Sequence, residues 1–508
     1  MLGAAGRPSS AFLPGALGFP FNAAAPQPGA AGRAYNIQPS LAGQVLGTDN
    51  VRQSTNNARS DLVTTLTPGL LVSIDTARLQ GILNYAPSIQ IFASDSSQTR
   101  ILQNGSGQFI ATLVPDAVFL DVRGAAATQS ASGGFAPQSS PTIDRQGLVQ
   151  TTSFQISPYI LRRFGDLATA QLGYGYQSVR QELGGNASGA FTPTGQQFFT
   201  DNHFVAHAFY ALARTGPSFG RLALDGRVIS TEYEGTGVLQ NAHRRVAAVE
   251  ARYAVTRQVS LLAEVGYEMQ RYSSNPRFVL SEPIWALGTR LTLSDESSVT
   301  LKYVRRNGFE SPSVAAAIAL GGRTRLFANY SEQLSTGAQR AADLLTTTTL
   351  DALGNPVDSR SGEPIAPSIG DSFQGTQSSL QRVRRASVTL SQTWPRDVVS
   401  LTALSEQRRP IAVAAGTVGI EQRATSISVA WSHSLTPTTT SIATMQYGRL
   451  ERSGFGSSDI YGATAALVTQ LTPGLSAFLQ YGLTNRGDQF APGRAIQNVL
   501  LIGMRQNF

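Results

Sequence analysis

Side chains able to do chemistry are few in kind in this chain. There are four histidines, His203, His207, His243 and His433, and no cysteine, which excludes disulfide scaffolds, thiolate metal sites and cysteine nucleophiles. His203 and His207 share one face of an extended strand, but four residues at ~3.3 Å each set them about 13 Å apart, too far to hold one metal without a third partner. No GxSxG, HExxH or P-loop pattern occurs. A serine–histidine pair needs to meet only in space, so a hydrolase using His203 or His207 remains the minor alternative to a non-enzymatic, cofactor-free and metal-free protein.

What remains is charge. Basic side chains number 40 against 32 acidic, and Lys302 is the only lysine among them. Several of these charges recur at spacings of two or four residues, the spacing that keeps side chains on one face of a strand. The set is Arg221, Asp225 and Arg227, then Glu250 and Arg252, Glu264 and Glu268, Arg290, Lys302 and Arg306, and Arg325. Opposite signs on neighbouring strands brace a wall through cross-strand pairs. The same guanidinium forks can instead bind or select carboxylates and phosphates, including those of acidic polysaccharides. The arginines are scattered and no nucleic-acid motif accompanies them, so nucleic acid is not expected as a partner.

The elements that position these residues are strands. Only 14% of the residues are charged, against roughly 25% in soluble globular proteins. The most apolar stretch, Ser313 to Gly322, is far too short for a helical membrane span. From about Asn36 to the end, apolar residues alternate with small or polar ones at period two. Val259, Leu261, Ala263, Val265, Tyr267 and Met269 share one face, for example, against Ser260, Leu262, Glu264, Gly266, Glu268 and Gln270. Short turns such as VPDA at 114–117, RFGD at 163–166 and SDES at 294–297 alternate with longer polar links, the longest at 336–376. Soluble sandwiches do not require such alternation. A transmembrane barrel does, with short periplasmic turns and longer extracellular loops, and in lipid only closure satisfies every backbone edge.

The expected fold is therefore all-β: an antiparallel transmembrane β-barrel of about 22 strands, with 20 as the alternative. The early region decides the count, because Thr67-Pro68-Gly69 is either a turn or a bulge within one strand. Strands that begin near residue 36 leave no room for a plug domain of roughly 100 residues, the kind that fills the lumen of 22-stranded transporters. Residues 1–34, rich in Ala, Gly and Pro, are expected to form a flexible leader and 35–508 the barrel. The leader lacks a basic segment followed by an apolar core, so a signal for export is expected either upstream of this start or to have been lost from it. At the other end, Phe508 as last residue with Gly503 five before it resembles the signal read by barrel-assembly machinery.

Three segments carry a closer resemblance: Asn50–Phe92, Phe154–Arg180 with SPYILRRFGDLATAQL, and Thr324–Arg340 with RTRLFANYSEQLS. They resemble the outer-membrane β-barrel family associated with exosortase/PEP-CTERM systems, a branch of the putative β-barrel porin group, along nearly all of the chain. The resemblance implies integral location in a Gram-negative outer membrane, near exopolysaccharide biosynthesis and export. It implies no catalytic residues.

Function follows as an expectation: a porin-like channel or export conduit for exopolysaccharide or other anionic solutes, in contact with outer-membrane lipid, the barrel-assembly machinery and export components. The alternative is a non-conducting barrel that anchors surface polymer or partner proteins. The 336–376 loop, with Asp343, Asp351, Asp358, Glu363 and Asp371, is the candidate to narrow an arginine-rich lumen. Tyr159, Tyr174, Tyr176, Trp285, Trp394, Trp431, Tyr447, Tyr461 and Tyr481 are expected mostly on lipid faces or near strand ends, as interfacial girdles. Phe327 and Phe478 are the inward aromatics, where sugar rings could stack.

Overall fold

In the computed structural model, the described residues are 34–130, 148–183, 201–340, 348–350, 356–358, 379–454, 456–487 and 494–508. The leader, apart from Ala34, lies outside them. Strand follows strand because the period-two pattern hardly breaks. The first quarter holds β1 (Tyr35–Thr48), β2 (Asp61–Asp75), β3 (Leu79–Tyr85 with Ser88–Phe92), β4 (Arg100–Leu102 with Gly105–Val114) and β5 (Val118–Ser130). Next come β6 (Leu148–Phe164), β7 (Ala168–Leu183), β8 (Asn202–Thr215), β9 (Leu222–Gly235), β10 (Ala242–Ala254) and β11 (Val259–Tyr272). They are followed by β12 (Phe278–Ser294), β13 (Ser297–Arg306), β14 (Phe309–Ala319), β15 (Thr324–Ser335) and β16 (Ser379–Thr393). The last six are β17 (Asp397–Val413), β18 (Gln422–Ser434), β19 (Thr439–Arg452), β20 (Gly456–Gln470), β21 (Leu475–Gly487) and β22 (Arg494–Asn507).

Each strand pairs antiparallel with its successor, and β22 pairs back onto β1 from Ser40↔Asn507 to Thr48↔Val499. The barrel is closed with 22 strands. The doubtful early region is one strand: Pro68 lies inside β2, opposite Leu41. On its other side, the pairing of Leu70↔Tyr85 and Leu66↔Ile89 keeps one register across a gap, which sets Pro68 opposite Pro87. Neither proline has an N–H to donate, so the ladder opens there and resumes.

Period two decides which side faces what. On β11, Val265 is 66% exposed on the outer surface, whereas Glu264 beside it is 4% exposed on the inner one. Leu172, Phe209, Val228, Leu287, Leu301, Ile427, Met445 and Ile502 extend the outer apolar band around the barrel. Polar rows bound it. Towards the long loops lie the outward pairs Arg245–Glu232 (3.3 Å) and Arg449–Glu451 (3.0 Å). Towards the short turns, Asp397 accepts from Trp431 Nε1 at 2.9 Å beside His433. An apolar belt between a charged rim and an aromatic rim is the surface a bilayer requires. Among the described residues no separate plug domain is present.

One connection at the long-loop end is not long. Between β13 and β14 the chain turns in two residues, Asn307 (φ 59°) and Gly308 (φ 79°). Both lie in the left-handed region that a type I′ turn demands, and Asn-Gly meets that demand best.

Candidate functional site: a charged lumen under a bridged mouth

Apart from Arg221, the expected lumen charges lie on the inner face, and most of them are knitted together. Glu264 on β11 accepts from Arg227 of β9 at 2.5 Å and from Arg306 of β13 at 2.7 Å. Lys302 of β13 reaches Glu250 of β10 at 2.8 Å. That reach needs a bare backbone beneath it. Lys302 is registered opposite Gly288, where a Cβ would sit 2.3 Å from Leu301 O and 2.8 Å from Lys302 Cγ.

Asp225 pairs with Arg214, a partner the sequence reading did not include. Glu268 accepts from the Asn307 backbone N–H and from Gln270 Nε2 at 3.1 Å, and Gln270 also donates to Asn307 Oδ1 at 2.7 Å. The left-handed turn is thus tied to the wall. Arg325 lies 3.8 Å from Glu296 in the β12–β13 turn. Arg221 stands in the turn just before β9 and marks the rim rather than the wall. Arg252 and Arg290 form no ion pair among the described residues. They leave the half of the wall nearer the short turns with uncompensated positive charge.

A second cluster sits at the mouth. Glu406 of β17, 1% exposed, accepts from both terminal nitrogens of Arg340 at 2.6 and 2.5 Å, from Arg408 Nε at 2.6 Å, and lies 3.5 Å from Arg385 of β16. Arg340 closes a helical turn, residues 337–340, that leaves the end of β15 and folds inward. Val238 and Leu239, in the turn between β9 and β10, join Ala338 in one buried apolar cluster. That cluster takes in Val179 and Phe204 of β7 and β8 as well as Leu380 and Ala412 of β16 and β17. At ~4.8 Å per strand, β8 and β16 are roughly 38 Å apart along the wall. Only chain crossing the mouth can bring them into one cluster. The β11–β12 loop adds a backbone bond over the same gap, from Asn275 N–H to Val413 O at 3.1 Å.

The loop 336–376 therefore begins by folding inward at residues 336–340. A basic Arg340 meets an acidic wall residue. Asp343, Asp351, Glu363 and Asp371 lie outside the described residues; within the loop a small ribbon pairs Thr348–Leu350 with Pro356–Asp358.

The remaining candidates are placed as follows. His207 faces outward, its Nδ1 2.6 Å from the Tyr174 hydroxyl, and His243 lies one strand beyond Glu232 in the same cross-strand row. Among the described residues no three His, Asp or Glu side chains come together as metal ligands. Gly503 faces inward, where a Cβ would be 2.2 Å from Phe478 Cζ, so its lack of a side chain makes room for that ring. Phe508 is 71% exposed, and its N–H donates to Pro39 O at 2.9 Å. Tyr159 departs from the expected girdle. It lies inside, on the face of β6 shared with Ser153 and Ser157, while Phe154 and Ile160 face out.

No protein-family model matches the chain, and no curated protein matches it in sequence. Among solved structures it is similar to the closed form of the ferric-catecholate import receptor Fiu from E. coli K12, at 11% identity over 94% of this chain and 82% of that one, TM-score 0.52. The siderophore receptor PirA from Acinetobacter baumannii matches at 10% identity over 93% of this chain and 80% of its own, TM-score 0.51. OccK2 from Pseudomonas aeruginosa is aligned over 93% of this chain and 98% of its own at 8% identity, with a TM-score of 0.37. Likeness at these identities concerns architecture alone: the chain has the fold of an outer-membrane β-barrel.

Proposed function

We propose that this protein is a porin-like channel of the outer membrane, not an enzyme, and that it passes anionic solutes. The observation that carries the reading is the inner wall of β9–β13. Glu264 is paired with Arg227 and Arg306, Glu250 with Lys302 and Asp225 with Arg214, and Glu268 is held by neutral donors, while Arg252 and Arg290 form no ion pair among the described residues. A narrow, low-dielectric passage lined by surplus positive charge concentrates anions. The resemblance to exosortase-associated barrels supports a finer version, in which the solute is an acidic exopolysaccharide and the chain works beside export components. Insertion through the barrel-assembly machinery belongs to the same proposal.

A second reading is favoured by the bridged mouth. An apolar cluster and the Arg340–Glu406 pair across the long-loop end suit a closed, structural barrel that anchors partners. Purified protein in planar bilayers separates the two. Discrete conductance steps support the channel. Silence from heat-modifiable, folded protein at high loading supports the structural barrel.

A further inference from the structure

Away from the charged lattice, the inner wall carries a strip of aromatic rings. Phe119 on β5 is registered opposite Tyr159 on β6, and the two rings stack with centroids 5.2 Å apart and planes 18° from parallel. Beyond Tyr159 the row continues through Gly173 on β7 to Tyr210 on β8. A Cβ at Gly173 would lie 2.3 Å from Tyr210 Cζ and 2.8 Å from Cε2, so the tyrosine ring rests on bare backbone. Its hydroxyl is 3.1 Å from Ser157 Oγ and accepts from Gln171 Nε2 at 3.4 Å. Those bonds pin the ring across β7 onto β6. A ring held flat against a wall shows its other face to the lumen.

The border of the strip includes a neutralised ion pair. One step along β5, Asp121 and Arg123 bind each other at 2.8 Å, and both point inward. Flat rings, an amide, hydroxyls and a neutralised ion pair thus stand together on one stretch of the inner wall.

We propose that the Phe119–Tyr159–Tyr210 strip binds a linear oligosaccharide in transit. Pyranose rings present patches of C–H groups with positive edges, which suit the negative face of an aromatic ring. Their hydroxyls need donors and acceptors beside that face, and Gln171, Asp121 and Arg123 stand there. The proposal deepens the channel reading and rests on it for the entry of the sugar, but binding can be measured without conduction.

The test uses the full chain refolded in detergent, with titration calorimetry against maltohexaose and a mannuronate hexamer, and the same probes as blockers of current in bilayers. Binding of at least one hexasaccharide is expected. Tyr159→Ala and Tyr210→Ala should each weaken it about threefold to tenfold, the range of one lost aromatic contact. Tyr210→Phe, which keeps the ring, should retain most of the affinity, and Ser428→Ala, inward on β18 and away from every ring of the strip, should change nothing. Heat-modifiable migration shows that each variant is folded. No heat and no block from either probe overturns the strip even if chloride current flows, leaving the channel reading intact. Binding without any conductance sinks the channel reading and keeps the strip. Unchanged affinity in folded Tyr159→Ala and Tyr210→Ala overturns the proposal.

Discussion

Arg340 binds Glu406 through both terminal guanidinium nitrogens, at 2.6 and 2.5 Å, and so fastens chain leaving β15 to the wall at β17. Two parallel bonds fix orientation as well as distance, which a lysine could not do. With Arg385 and Arg408, three guanidinium groups surround one buried carboxylate. The site depends on that carboxylate being charged.

Replacing it should therefore be costly. Glu406→Gln leaves buried arginines around a neutral amide, and losing one member of a buried ionic cluster typically costs about 3–5 kcal/mol. Unfolding in urea from lipid vesicles should show a loss of that order, with Arg340→Ala smaller because two arginines remain.

The same pair predicts a change in passage. Arg340→Ala frees the start of the inward loop, so single-channel steps should grow larger or noisier than those of the wild type. Identical steps would mean that residues 336–340 do not narrow the path.

Lipid and lumen faces should respond oppositely to charge. Val265→Arg places a cation on the outer apolar band and should destabilise the folded barrel by about 2–4 kcal/mol near the bilayer midplane. Ser260→Arg, on the inner face of the same strand, should cost far less. Equal losses in vesicle unfolding would contradict the assignment of faces.

The two-residue turn gives a fourth expectation. Gly308 has φ 79°, and a Cβ there would also approach Leu280 Cδ1 to 3.1 Å. Gly308→Ala should destabilise the barrel by about 1–2 kcal/mol, the cost of left-handed backbone for an L-residue. A variant as stable as the wild type would show that the hairpin rearranges.

These cases also show what was legible in the residues. The faces of β11 were, because Val265 and Glu264 differ by one position and period two forces them to opposite sides. Asn307-Gly308 is the strongest short-hairpin signal in the residues, yet it stands at the end of the barrel where the alternation of connections points to a longer link. The facing of Tyr159 was not legible, since Ser157-Pro158-Tyr159-Ile160 has an apolar ring on one face and an apolar chain on the other. Nor were Arg214–Asp225 and Arg340–Glu406. Both depend on register or on a loop's path, which no local pattern encodes.

The central claim is that uncompensated arginines in the lumen favour anions, and the reversal potential across a potassium chloride gradient tests it most directly. The wild type should prefer chloride, and the double substitution of Arg252→Glu with Arg290→Glu should shift the reversal potential towards potassium. A wild-type channel selective for potassium, or a reversal potential unmoved by the double substitution, would contradict the account.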